Sequence, residues 1–369
     1  MKRHINSYKP LALSFMFSFS LWLLITFLSR WENFTSRIYP DFYAWFYPKF
    51  TNLWGWVPFS VGDLMYAVFG VIFIIIIVLI VRCFSLGQKW RGIRVISRLI
   101  NSLAILYFLF HILWGFNYYK PNLTEKLQGN EYSVEELKFI AEDSFRNSFS
   151  LRENLQEDNK GVIYFKRNVF YPKLPNHLKL TNTTIDYDWV PRKSQKKYSM
   201  YSYFMRYFGV GGYYNPFTAE AQVTRLSPPS NLPNNMAHEQ AHQMGFATEY
   251  EANFIGYLTN LQSDEDVLQY AANFKALKYV LNELYSQDSV YVRQTLDSFS
   301  PGMTRDYQAE REFYQKYSGR ADRIFSSMNN AYLKANRQEE GIQSYNRFVE
   351  LLVGYYRTEK DMNLLDKRD

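Results

Sequence analysis

His238, Glu239 and His242 stand in the run His238-Glu239-Gln240-Ala241-His242, an H-E-x-x-H arrangement. Residues four apart share one face of a helix, so both imidazoles can grip one metal ion. Neutral imidazole nitrogens suit zinc, and Zn2+ is the cofactor this pattern implies. Glu239 projects to the side, where a carboxylate can take a proton from a metal-activated water. It is the expected catalytic residue. The chain holds five histidines, and two of them lie in this run.

The surrounding residues predict a short helix over about 232–244. Asn231 suits the cap, Pro233 the first turn and Gly245 the left-handed stop. This helix is too short and too polar to cross a membrane. A catalytic zinc also needs a third protein ligand and an open position. After Gly245, Thr248 and Glu251 form a T-x-x-E capping box that starts a second helix at Glu249. Capping accounts for Glu251 and leaves Glu249 to reach back to the metal. Glu249, Asn253, Gly256 and Asn260 form one polar stripe, while Phe254, Ile255, Leu258 and Leu261 form the apolar one. The expected ligands are therefore His238, His242 and Glu249, with Asn253 orienting one of them and Glu251 as the alternative third ligand. Thr248 stands where a metzincin would place its third histidine, so that pattern fails at its decisive residue.

These residues resemble the gluzincin peptidases, whose third ligand lies in a downstream E-x-x-x-D helix. Here that element reads Glu249-Tyr250-Glu251-Ala252-Asn253, with Asn for Asp, and is also similar to the ImmA/IrrE-type metallopeptidases. A closer resemblance is to a bacterial membrane family, domain-of-unknown-function family 3810. It is carried by Trp114-Gly115-Phe116-Asn117-Tyr118-Tyr119, by Gly212-Tyr213-Tyr214-Asn215-Pro216-Phe217-Thr218, by the metal motif and by Gly341-Ile342-Gln343-Ser344-Tyr345. The resemblance implies a zinc metallopeptidase domain placed after membrane spans, and it supplies no substrate.

The elements that must position these residues fall into two parts. The chain has 369 residues and is 47% hydrophobic. Three apolar stretches, about 11–29, 64–81 and 99–116, approach the length of a membrane span. Trp31, Trp45, Trp54 and Trp56 suit a segment at the membrane interface. The net charge of +7 comes from residues 1–119, and the remainder is near neutral, so nucleic acid is not an expected partner. Lys2, Arg3 and Lys9 precede the first span. Arg82, Lys89, Arg91, Arg94 and Arg98 lie between the second and third. The positive-inside rule puts both groups in the cytoplasm and residues 120–369 outside. The expected location is a bacterial inner membrane, multi-pass, with the zinc site facing the periplasm or exterior. The sole cysteine, Cys83, leaves neither an intrachain disulfide nor cysteine ligation in the outer domain.

The outer domain, 120–369, is expected to be zincin-like and mostly helical with a small sheet, so the fold class is α+β. Ser133-Val134-Glu135-Glu136 opens a helix, and Thr218 to Arg225 alternates as a strand. That strand is either a candidate edge for binding an extended peptide or an internal strand of the small sheet. Long helical stretches run from Asp264 to Tyr285 and from Thr304 to Ala335, interrupted near Pro301-Gly302. Tyr345 is a candidate for stabilising an oxyanion. The function these features point to is hydrolysis of peptide bonds by a membrane-anchored zinc metallopeptidase, with a peptide or protein substrate. The rival is a non-catalytic zincin-like sensor or scaffold of the cell envelope. A non-peptide amide is a third substrate class.

Overall fold

The computed structural model describes residues 2–127, 131–165, 177–180, 183–186, 196–336 and 345–359. The apolar stretches fold as long helices. Helix α1 (Lys2–Arg30) leads through a π-helical turn, Phe34–Ile38, into α2 (Tyr39–Leu53). Helices α3 (Val61–Ser85) and α4 (Lys89–Leu113) form a hairpin whose tight turn uses Gly87 at φ +70°. Tyr8–Arg30, Val61–Ser85 and Lys89–Leu113 are long and apolar enough to cross a membrane, which points to a membrane protein. The third begins well before residue 99 and stops at Leu113 rather than Phe116. There Trp114, Phe116, Asn117 and Tyr118 are buried in a turn against the rest of the chain.

The aromatic segment between the first two spans has two faces. Tyr39, Tyr43, Tyr47 and Thr51, each four apart, are buried along one side of α2. Trp31, Trp45 and Trp56 stay exposed.

The second half is mostly helical. Helices α5 (Thr124–Leu127) and α6 (Val134–Arg152) come first, and Ser133 and Glu136 close the expected capping box on α6. A two-stranded hairpin, β1 (His177–Leu180) and β2 (Thr183–Asp186), stands apart from a three-stranded sheet. That sheet holds β3 (Lys196–Tyr198), β4 (Gly212–Asn215) and β5 (Glu220–Val223) in the order β3-β5-β4. Between β3 and β4 lie α7 (Ser202–Met205) and a 3-10 turn, Arg206–Phe208. The strand around Glu220 is therefore the centre of the sheet, not its edge. It pairs parallel with β3 and antiparallel with β4, and all four of its residues are buried. Among the described strands, β4 has β5 as its only partner.

Helices α8 (Leu232–Gln243) and α9 (Glu249–Leu261) follow the sheet, then α10 (Asp266–Leu284), α11 (Ser289–Asp297), α12 (Pro301–Tyr317), α13 (Arg320–Ala335) and α14 (Tyr345–Glu359). Pro301-Gly302 opens α12 rather than interrupting a longer helix, because Pro fits the first turn and Ser300 caps the Met303 N–H. The main core forms where α9 and α10 pack with α6 and α14, around Phe254, Tyr257, Phe274, Leu277 and Phe348. Burial of such side chains contributes roughly 1.5–3 kcal/mol each.

Hydrogen bonds cross residue 119 in both directions. The Glu220 carboxylate accepts from the Val61 N–H (3.2 Å) and the Gly62 N–H (2.6 Å), the first amides of α3, and from Lys197 Nζ (2.5 Å). Ser60 caps Asp63. The Asp63 carboxylate accepts from Ser199 Oγ (3.1 Å), the Met200 N–H (2.6 Å) and the Tyr213 hydroxyl. Two carboxylates thus sit at the positive end of one helix dipole, where negative charge is favoured.

Asp306 ties the far side of the domain together. It accepts from Arg152 Nε at 2.6 Å, from the Ile163 N–H at 2.9 Å and from the Tyr270 hydroxyl at 2.8 Å, and both members of the ion pair are buried. Asp306→Ala leaves Arg152 buried without its counter-charge. We expect a loss of about 3–5 kcal/mol, read as a lower thermal midpoint of the full chain in detergent. An unchanged midpoint would sink this account of the pair.

Candidate metal centre

Helix α8 starts as expected at Leu232, but Asn231 does not cap it with its side chain, which donates instead to the Tyr314 hydroxyl at 2.7 Å. The helix ends in a Schellman turn. Gly245 adopts φ +88°, its N–H bonds to His242 O at 2.9 Å, and the Phe246 N–H bonds to Ala241 O at 3.0 Å. This turn returns the chain so that Phe246 O accepts from His242 Nδ1 at 2.7 Å. Glycine at 245 is required by the left-handed backbone.

Helix α9 then runs back across α8. The stripe of Glu249, Asn253, Gly256 and Asn260 is the face it turns to α8. Asn260 Nδ2 donates to Asn234 at 3.1 Å, and a Cβ on Gly256 would come within 3.0 Å of the His238 backbone nitrogen. The bare backbone at Gly256 lets the helices approach closely enough for Glu249 to meet the histidines. His238 Nε2 lies 3.3 Å and His242 Nε2 3.7 Å from the Glu249 carboxylate oxygens. One donor atom from each of the three residues lies within 4.8 Å of the others. Ligands about 2.0–2.1 Å from a tetrahedral zinc lie roughly 3.3 Å apart, close to these spacings.

The tautomers follow from the partners. His238 Nδ1 lies 3.1 Å from Asn253 Oδ1, which also accepts from Lys275 Nζ at 2.6 Å. An amide oxygen and a carbonyl oxygen can only accept, so both Nδ1 atoms carry hydrogen. Both Nε2 atoms therefore turn toward the Glu249 carboxylate. Burial, then the neighbouring His238, lowers the His242 pKa to about 4, so this ring is neutral at pH 7. Burial opposes ionisation of Glu249, but His238 and then Lys275 beside it hold its carboxyl down to about 2. Two oriented imidazoles and one ionised carboxylate suit a zinc ion.

Glu239 is 5% exposed and lies over β4. A Cβ on Gly212 would fall 2.6 Å from Glu239 Cγ, so glycine there makes room for the carboxylate. Burial, then the charge of Glu249, pushes its pKa well above the usual carboxylate range. Its Oε2 has no hydrogen-bond partner among the described residues. That orphaned oxygen suits a group meant to meet a water or a substrate.

Glu251 faces elsewhere. It accepts from the Leu123 N–H at 2.7 Å and from the Thr248 hydroxyl at 2.8 Å. Thr248 donates its hydroxyl to Glu251 and makes no side-chain cap on α9, so the expected capping box does not form in full. Tyr345 opens α14, but its side chain lies outside the described residues. Two tyrosines that the sequence did not single out stand at the site. The Tyr118 hydroxyl bonds to the Tyr332 hydroxyl at 3.3 Å, and both line the cleft with His238, Glu239, His242 and Glu249. Burial raises the pKa of Tyr332 to about 12, so it remains a hydroxyl donor. The signal for Tyr118 was its place in Trp114–Tyr119, and for Tyr332 there was none among 31 tyrosines.

The carbonyls at the end of α8 are held from the N-terminal part. Trp114 Nε1 donates to His242 O at 2.9 Å, and the Tyr43 hydroxyl to Gln243 O at 2.9 Å. Fold and site together describe a mostly helical, membrane-type chain with a His–His–carboxylate cluster on two crossed helices. The family described as "Protein of unknown function (DUF3810)" matches residues 39–353, and the chain belongs to it. No curated protein and no solved structure matches the chain.

Metal analysis of the full chain is expected to give about one zinc per molecule, lost in His238→Ala and in Glu249→Ala. Asn253→Ala is expected to weaken zinc about 10–100-fold in a chelator competition. A folded wild type that takes up no zinc would overturn this centre, and an unweakened Asn253→Ala would remove the orienting role.

Proposed function

We propose that the chain is a membrane-anchored zinc metallopeptidase of the gluzincin type, with His238, His242 and Glu249 holding the ion. The observation that carries this reading is the convergence of two Nε2 atoms, each fixed by a hydrogen bond on its Nδ1, on one ionised carboxylate. When bound, zinc supplies Lewis acidity that polarises a carbonyl and acidifies a water. Glu239 takes the proton from the attacking water and delivers it to the leaving amine. Its buried setting raises its proton affinity, which suits both halves of that transfer. Tyr332 or Tyr118 donates a hydrogen bond to the carbonyl oxygen as charge develops there. The side of β4 that no described strand pairs with offers main-chain groups to an extended peptide. The orientation that fits the basic loops puts this site outside the cytoplasmic membrane of a bacterium.

Glu239→Gln is expected to keep zinc and abolish hydrolysis of a mixed peptide library. Tyr332→Phe is expected to lower kcat by about 10²-fold or more with KM little changed. Equal turnover by Glu239→Gln and wild type would sink the mechanism and leave the sensor or scaffold reading.

A further inference from the structure

The cleft at the zinc-binding residues encloses about 980 Å3, and its walls differ in chemistry. One wall is polar, with Lys275, Lys278, Asn282 and Glu310. The other is aromatic and comes partly from the membrane-type helices. Tyr66 belongs to α3 and Phe110 to α4, and Phe217 beside them meets the Phe69 ring at 6.5 Å. Tyr66 lies roughly 7–8 Å along α3 from its start, and Phe110 roughly 5 Å before the end of α4, at 1.5 Å per residue. Start of α3 and end of α4 fall on the same side of the hairpin. The cleft is therefore bordered by two spans within about a turn or two of their ends, the depth at which aromatic side chains meet lipid headgroups.

Phe208 meets Phe325, a cleft residue, at 5.8 Å, and Phe204, Ile324 and Met328, near these two in sequence, are each at least 60% exposed. The segment leading into Phe204 is fixed to the start of α3, because Asp63 holds the Met200 N–H and its carbonyl accepts from the Tyr201 hydroxyl at 2.9 Å. Exposed apolar side chains beside a span end are accommodated by lipid rather than by water.

We infer that the substrate is a polypeptide tethered to the same bilayer by an apolar anchor, cleaved within a few residues of that anchor. This rests on the hydrolase reading of the site. The aromatic wall receives the anchor-proximal residues, and the polar wall the part of the chain that leaves the membrane. A soluble peptide would leave the aromatic wall without an occupant. A site held well above the bilayer would have no reason to use α3 and α4 as its border.

The test uses the full chain, zinc-loaded, in proteoliposomes. The probes are quenched mixed-sequence peptides, either free, attached to a diacyl lipid, or attached to an apolar helix. Each anchored set has a spacer of about four residues, or of about thirty, which reaches many times farther. The short-spacer peptides are expected to be cleaved about tenfold faster than the long-spacer ones. The two anchor types show which source of tether the cleft accepts. Cleavage confined to free or long-spacer peptides would overturn the inference while leaving the hydrolase standing. A photo-reactive group on the same peptides gives a readout without turnover, using Glu239→Gln protein. Cross-linking of short-spacer peptides without any cleavage by wild type would keep the tethered ligand and remove the hydrolase. Neither cleavage nor cross-linking would remove both.

Discussion

The close crossing of α8 and α9 governs this structure. Two helices can bring backbone to backbone only where a side chain is missing, and Gly256 provides that place against His238. The Schellman turn at Gly245 sets the direction of return. With both in place, three separate requirements are met at once. Glu249 reaches the imidazoles, Asn253 reaches His238 Nδ1, and Phe246 O reaches His242 Nδ1. A bulkier residue at 256 would disturb the first two together, because they share one rigid crossing.

The membrane-type helices are part of the site's frame rather than a separate anchor. The terminal carbonyls of a helix need donors, and those of α8 find two of them in Trp114 and Tyr43. In the other direction, the first amides of α3 find theirs in Glu220 on the central strand. Each part completes the other's helix ends, so the division at residue 119 marks a change in composition and not a gap in the packing.

Much of this was legible. The H-E-x-x-H run and its helix, the second helix from Glu249 and its polar stripe follow from periodicity and from Pro233 and Gly245 over short distances. The capping box at Ser133 and Glu136 is equally local. What the sequence could not show depends on contacts between distant segments. The place of the Glu220 strand depends on which strands flank it, and alternation of side chains is the same at the edge and in the centre. Asn231 has the right type for a cap, yet Tyr314, far along the chain, offers its side chain a partner. Tyr118 and Tyr332 come together across more than half the chain, and no local pattern marks such a pair. The third span's end was misplaced because Trp114 and Phe116 are as apolar as lipid-facing residues, though they are buried in protein.

The Glu220 carboxylate on the amides of α3 also bears on how the molecule is made. A chain leaves the ribosome from its N-terminus, so α3 is made long before Lys197 and Glu220 have been synthesised. Until then its first N–H groups have Ser60 for Asp63 and only water for Val61 and Gly62. The central strand then meets a helix that has already been made. The last hydrogen bonds at the start of that helix are thus made by residues far along the chain.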